Sequence, residues 1–280
     1  MTSTWAKRRR RIMASLVSAA LAAGLAAPAH AVGDLLIAPT RVILNGSQGT
    51  EVVLNNIGDQ PATYRITLEL RRMNSEGELD DVSEAEASAL EKAALEMIRY
   101  APRRITLPPD QPQAIRITAR PGANLPDGEY RVHMSFRAIP EANPVSAPVE
   151  VPENGFVVQL TPIYGITIPI IVRKGRLEAS AALSNPRLVS TGEGEFLQLD
   201  VARSGNRSLY GAIEVFAPGA KDPVYAARGV AVYPELSGRK VMLPVGAEQA
   251  AKLHGPLHIE YREAPEAGGK LIAAVDAKLP

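Results

Sequence analysis

The second half of the chain keeps a two-residue period. From residue 177 onward, short runs alternate apolar and polar side chains and end in Gly, Pro or Asn: "LEASAALSNP", "EFLQLDVARSGN", "LYGAIEVFAP", "VYAARGVAVYP", "RKVMLPVG", "GPLHIEYREA" and "GGKLIAAVDA". Successive side chains of a strand point to opposite faces, so this alternation predicts half-buried strands. Strands with turn signals every 8–12 residues or so predict an immunoglobulin-like sandwich. The first half has a comparable set of runs: "DLLIAPTRVIL" (34–44), "TEVVLNNIG", "ATYRITLELRRM", "RITLPP", "QAIRITARP" and "GEYRVHMSFRAIP". The expected fold is therefore all-β, with two immunoglobulin-like β-sandwich domains in tandem joined at Lys174–Arg176.

One segment departs from that rhythm. In "SEAEASALEKAALEMIRY" (83–100), Leu90, Ala94 and Met97 recur at helical spacing. Ser83 with Glu86 three residues on has the form of a capping box, and Pro102 disfavours continuation. A short helix inserted in the first sandwich is predicted.

The N-terminal residues 1–31 have the form of an export signal. They carry a basic run, Lys7 to Arg11, a short apolar stretch, and Ala29-His30-Ala31 as a small-x-small cleavage site. The apolar stretch is shorter than the ~20 residues that span a bilayer. The expected division is a signal peptide at 1–31, a first domain at 32–174 and a second at 175–280. Removing a leader with five basic residues and no acids turns the net charge from +1 to −4, so no basic bias remains to suggest nucleic acid.

The chain has no cysteine, which excludes thiol chemistry, disulfides and cysteine-based metal sites. Beyond the leader only His133, His254 and His258 could serve as histidine bases or ligands. His254 and His258 are separated by Gly255-Pro256, which opposes a helical metal pair. No nucleophile elbow, zinc-helix motif, phosphate loop or dinucleotide fingerprint is present. Composition and motifs thus point to a binding protein, with no enzyme activity, cofactor, metal or small-molecule substrate expected.

Two neighbouring stretches are odd as pure structure. "EANPVSAPVEVPENG" (141–155) is proline-rich and aperiodic, and it runs into the apolar "FVVQLTPIYGITIPIIVR" (156–173). Within the latter, Phe156, Val158 and Leu160 alternate, and Tyr164 continues their parity. This row either packs in the chain's own core or is offered to another molecule. Pro169 interrupts the run; lacking an N–H, proline is confined to edges, strand starts and bulges.

Four stretches taken together resemble the periplasmic chaperones of the chaperone–usher pilus pathway. They are "APTRVILNGSQGTEVVLNNIGDQPATYRI" (38–66), "LPDGEYRVHMSFRAIP" (125–140), "IPIIVR" (168–173) and "SGNRSLYGAIEVF" (204–216). The resemblance implies a periplasmic protein that caps a pilin-like subunit lacking its last strand and delivers it to an outer-membrane usher. The chaperone lends its seventh strand to the subunit's open groove. Phe156, Val158, Leu160 and Tyr164 would be the groove-filling donor row. A self-capping dimer would protect the same edge in the free protein.

In this family an arginine of the first strand and a lysine of the seventh anchor the subunit's terminal carboxylate. Arg41 matches the arginine, but Pro169 stands where the lysine is expected. Either Arg41 acts alone or Arg137, Arg173 or Lys174 substitutes. The family's interdomain ion network would be Glu129, Arg173 and Glu266, with Glu263 an alternative third member. Pro169 and the inserted helix suggest a divergent branch. The competing function is an exported structural or adhesive two-domain sandwich.

Overall fold

The computed structural model describes residues 35–140 and 163–280. The described chain is all-β, in two sandwiches. The first is built from β1 (Leu35–Ala38), β2 (Val42–Asn45), β3 (Gly49–Asn56), β4 (Ala62–Met73), β5 (Leu79–Val82), β6 (Ile98–Ala101), β7 (Arg104–Leu107), β8 (Gln113–Ala119), β9 (Gly128–Ile139) and β10 (Gly165–Lys174). One sheet has the order β1-β3-β8-β6. The other runs β2-β10-β9-β4-β5, with β7 also on β4. The inward rows close one core that includes Leu54, Tyr64, Ile66, Ile117, Val132, Met134, Phe136 and Ile170.

The opening segment, expected to be one strand entry, divides between the two sheets. β1 pairs antiparallel with β3, whereas β2 crosses over and pairs parallel with β10. Arg41 lies at the second strand's threshold, next to Val42.

The inserted helix, α1 (Ala89–Met97), is shorter than expected and starts later. Ser88 is its N-cap: the Glu91 N–H donates to Ser88 Oγ, and the Ser88 N–H donates to the Glu91 carboxylate. At the upstream pair, the Ser83 N–H and Oγ–H both donate to the Glu86 carboxylate, while the Glu86 N–H donates to the Ser83 carbonyl, which closes only a turn. Ala94 and Met97 join the core, while Leu90 is exposed. The chain then leaves the helix at Ile98, where β6 pairs with β8 and buries Ile98. Strand pairing and burial of a β-branched residue override the helical pattern there.

The second sandwich comprises β11 (Ala179–Thr191), β12 (Gly194–Gly205), β13 (Leu209–Phe216), β14 (Tyr225–Val232), β15 (Gly238–Val245), β16 (Gly255–Glu263) and β17 (Leu271–Leu279). Its sheets are β11-β12-β15 and β14-β13-β16-β17. A one-turn helix, α2 (Ala247–Ala250), was not foreseen. Its core includes Leu197, Leu199, Ile213, Val215, Ile259 and Tyr261.

Contacts between the sandwiches are both apolar and polar. Met73 and Ile171 of the first bury against Ala231 and Tyr233 of the second. Asn206 ties the connection. Its side chain accepts from the Glu178 N–H and donates to the carbonyls of Asp127 and Arg176, and its own carbonyl accepts from the Glu129 N–H.

Candidate functional site: an open strand edge beside a cation cluster

β10 has two unequal halves. Throughout its length it pairs antiparallel with β9. On its other edge, β2 pairs only with Ile170 to Arg173. Among the described residues no strand pairs that edge from Gly165 to Pro169. The backbone directions follow from two bonds. The Ala138 N–H of β9 donates to the Tyr164 carbonyl, so even-numbered groups face β9. The Gly46 N–H, just past β2, donates to the Arg173 carbonyl, so odd-numbered groups face the β2 side. Pro169 is odd. Its missing N–H therefore falls on the open edge and removes nothing from the β9 ladder. Gly165 and Thr167 present their N–H and C=O groups on the same edge.

The even row changes environment along the strand. Ile168, Ile170 and Val172 belong to the core. Ile168 is 2% exposed, whereas Ile166 is 38% exposed and Tyr164 49%. An inward-facing apolar row thus runs beyond the chain's own core. Phe156, Val158 and Leu160 lie outside the described residues.

The odd row faces the second sandwich. By register Pro169 lies opposite His133 of β9, which lies opposite Glu69 of β4. One residue before the Ile170–Val42 pair, the parallel register brings Arg41 beside Pro169. One step further, Ile43, Ile171 and Arg131 align. The outer face therefore gathers Arg41, Arg71, Arg131 and His133 from two strands, β4 and β9, and the threshold of β2.

Each guanidinium has different partners. Arg71 meets Glu69 at 3.2 Å and Asp81 at 3.1 Å. Arg131 donates to Glu235 at 2.6 Å and to the Arg71 carbonyl at 2.9 Å. Its Nε and Nη1 are buried without a hydrogen-bond partner. Arg41 has no carboxylate partner among the described residues. It donates to Tyr233 Oη at 3.0 Å and Ser208 Oγ at 3.5 Å, and its Nε is buried and unpartnered. Its guanidinium lies over the Tyr210 ring at 4.1 Å and 5.5 Å from the Tyr233 centroid; Arg131 sits 3.4 Å from the latter. The negative faces of these rings hold the cations without neutralising them.

The second sandwich positions those rings. Arg203 donates to the carbonyls of Pro234 and Leu236, fixing the turn that supplies Tyr233 and Glu235. Glu235 also accepts from the Met73 N–H.

His133 is 2% exposed, and neither ring nitrogen has a hydrogen-bond partner. Burial, with the positive charges of Arg131, Arg71 and Arg41, pushes its pKa down to about 3.

Of the proposed substitutes for the absent lysine, Arg173 pairs with Glu129 at 3.1 Å, and Lys174 donates to the Leu125 carbonyl. Arg137 is exposed beside Gly165. The cation nearest Arg41 through a shared ring is Arg131, which the sequence reading did not single out. A cue existed in "YRVHMSFR", where polar residues recur at alternate positions of a strongly apolar strand.

Of the expected three-membered ion network, Glu129 and Arg173 meet. Glu266 does not join them: it is exposed on the turn Pro265–Ala267, and Glu263 pairs with Arg207 at 3.3 Å. The Gly-Gly turn at 268–269 lies past the strand end, so it does not bring Glu266 back to β10. His254 contacts the Pro280 carbonyl and His258 contacts Asp276, so the two histidines have separate partners. Among the described residues no group of three His, Asp or Glu converges as a metal site would require. No helix among them is long and apolar enough to cross a membrane.

No family model and no curated protein matches the chain. Solved structures that resemble it include pilus-assembly chaperones. The chaperone–tip subunit pre-assembly complex of archaic chaperone–usher Csu pili from Acinetobacter baumannii is 12% identical with a TM-score of 0.46, covering 89% of this chain and 100% of that one. The Salmonella enterica SafA pilin–SafB chaperone complex is 17% identical with a TM-score of 0.47, covering 90% and 99%. The Pseudomonas aeruginosa CupB2 chaperone is 14% identical with a TM-score of 0.45, covering 88% and 100%.

Proposed function

We propose that the chain is a periplasmic assembly chaperone. It caps a pilin-like subunit by lending β10 to the subunit's incomplete sandwich, and then delivers the subunit to an outer-membrane usher. The observation that carries the reading is the open half of β10. There, backbone groups at Gly165 and Thr167 that no strand pairs among the described residues accompany an apolar row, Tyr164 and Ile166, that continues a core row into solvent. Main-chain bonds supply affinity in strand addition, and alternate side chains supply specificity. Burying each large apolar side chain contributes roughly 1.5–3 kcal/mol.

Geometry also gives the added strand an end. A strand running along Gly165 and Thr167 toward Pro169 meets the start of β2. Arg41, without a carboxylate partner among the described residues, stands at that point. The reading assigns Arg41 to the subunit's terminal carboxylate, with Arg131 as the neighbouring guanidinium.

The test is co-purification from the periplasm after expressing the tagged chain with its neighbouring genes. A near-equimolar small β subunit is expected, lost when Tyr164 and Ile166 become Asp and weakened by Arg41→Ala. A chain that comes down alone, with neighbouring products stable in its absence, would defeat the proposal.

A further inference from the structure

His133 lies beneath the point where an added strand must stop. It faces Pro169 across β9–β10 and Glu69 across β9–β4. Arg131 precedes it by two residues on its own strand face; Arg71 approaches from β4 and Arg41 from the threshold of β2. Tyr233 and Glu235 of the second sandwich reach the group through Arg41 and Arg131. Arg71 has Glu69 and Asp81 as counter-charges, Arg131 has Glu235, and Arg41 has none among the described residues. A neutral imidazole has one N–H to give and one nitrogen to accept. Here both nitrogens are buried without partners among the described residues, although buried polar groups are ordinarily bonded. An anion seated at Arg41 would balance that cation and could accept from the His133 ring.

We propose that His133 is a proton-conditional second cation: it is neutral in the free protein and takes up a proton when a strand-terminal carboxylate seats at Arg41. The proposal rests on the carboxylate reading of Arg41 given above. It adds that capture is linked to pH, where a lysine at position 169 would have given a permanent charge.

The physical reason is a change in local charge. In the free state an imidazolium would join Arg41, Arg71 and Arg131 in a buried place, and burial with those cations holds the ring neutral. An arriving carboxylate offsets one cation and offers acceptor oxygens to the ring. Both effects favour the protonated form. A group whose pKa rises on binding takes up a proton, so affinity increases as pH falls between the bound and free values. If the bound ring returns to the ordinary histidine value near 6.5, affinity should rise on the order of tenfold from pH 7 to pH 5.

The probe is a seven-residue peptide of alternating Val and Thr with a free C-terminal carboxylate, beside its C-terminal amide. Calorimetric titration at pH 5 and 7, in buffers of different ionisation enthalpy, reads affinity and proton uptake together. The expected result is preference for the free acid, lost in Arg41→Ala. Affinity should rise on the order of tenfold toward pH 5 with proton uptake, and both should vanish in His133→Gln while that variant still binds at pH 7. If the acid is preferred through Arg41 but wild type and His133→Gln share one pH profile, the proton link is wrong and the carboxylate site stands. If acid and amide bind alike at both pH values, the carboxylate reading fails and takes this inference with it.

Discussion

The pair Glu129–Arg173 permits a prediction in which a second substitution should repair part of the damage done by the first. The residues face each other across β9 and β10 at 3.1 Å. The Glu129 side chain is completely buried, while that of Arg173 is 22% exposed. One carboxylate oxygen, Oε1, has no hydrogen-bond partner, so Arg173 is the main compensation for a buried charge. Breaking a buried pair from one side strands the other charge and costs roughly 3–5 kcal/mol. Arg173→Ala should therefore destabilise by about 3 kcal/mol, the low end because the arginine is partly exposed. Glu129→Gln frees a partly exposed guanidinium to find water, and should cost only about 1–2 kcal/mol. The double variant no longer buries an unpaired anion. It should be more stable than Arg173→Ala alone by about 1 kcal/mol or more, a coupling of the size seen between contacting residues. Urea unfolding of the four proteins, with m-values compared to confirm a common unfolded reference, gives the cycle. Additive losses, or an Arg173→Ala variant within about 0.5 kcal/mol of wild type, would refute the picture of a carboxylate dependent on one arginine.

Tyr233→Phe removes the oxygen to which Arg41 donates but keeps the ring, and should cost about 1 kcal/mol in chemical unfolding. Tyr233→Ala also removes a buried ring shared by two guanidiniums and should cost about 3–5 kcal/mol. Pro169→Ala should change stability by less than about 1 kcal/mol, because no β9 bond depends on that nitrogen and only unfolded-chain freedom changes; a loss near 3 kcal/mol would place the proline inside the ladder. The free protein should lose stability on acidification. The folded His133 pKa near 3 lies below the ordinary 6.5, so the unfolded chain binds the extra proton between those values. This contribution is intact above pH 6.5 and falls by about 1.4 kcal/mol per pH unit below it, about 2 kcal/mol by pH 5. His133→Gln should flatten that part of the profile measured by urea unfolding.

Features governed by alternation or local spacing were legible in the sequence. The two sandwiches follow from runs read one at a time, whereas Glu129, Arg173 and Arg41 were singled out only by the resemblance to a known family. The helix boundary was less so, because two Ser-x-x-Glu pairs lie five residues apart and only the second is followed by enough inward-facing residues. Arg131 was not singled out, and His133 was read only as a candidate base or ligand, because a polar alternate row on a strand ordinarily faces water. What makes them interior is the second sandwich. Arg131 and Glu235 are separated by 104 residues, and Arg41 and Tyr233 by 192. The neighbourhood of Pro169 is likewise a matter of register among β2, β10, β9 and β4, which no single run encodes.

That register also gives Pro169 a physical rationale. The face already holds Arg41, Arg71 and Arg131, with Glu69, Asp81 and Glu235 as their carboxylate partners and none of these on Arg41. A lysine at position 169 would place a further unpaired cation beside Arg41 and above His133, costly until an anion arrives. Proline adds no charge there. Its nitrogen also withholds a donor from an incoming strand at the point where β2 takes over the edge. The N–H groups of Gly165 and Thr167 remain available before it. Under the proposed function, proline rather than lysine at this position would shorten the pairing edge and lower the resting charge of the face, leaving the additional positive charge to the proposed protonation of His133.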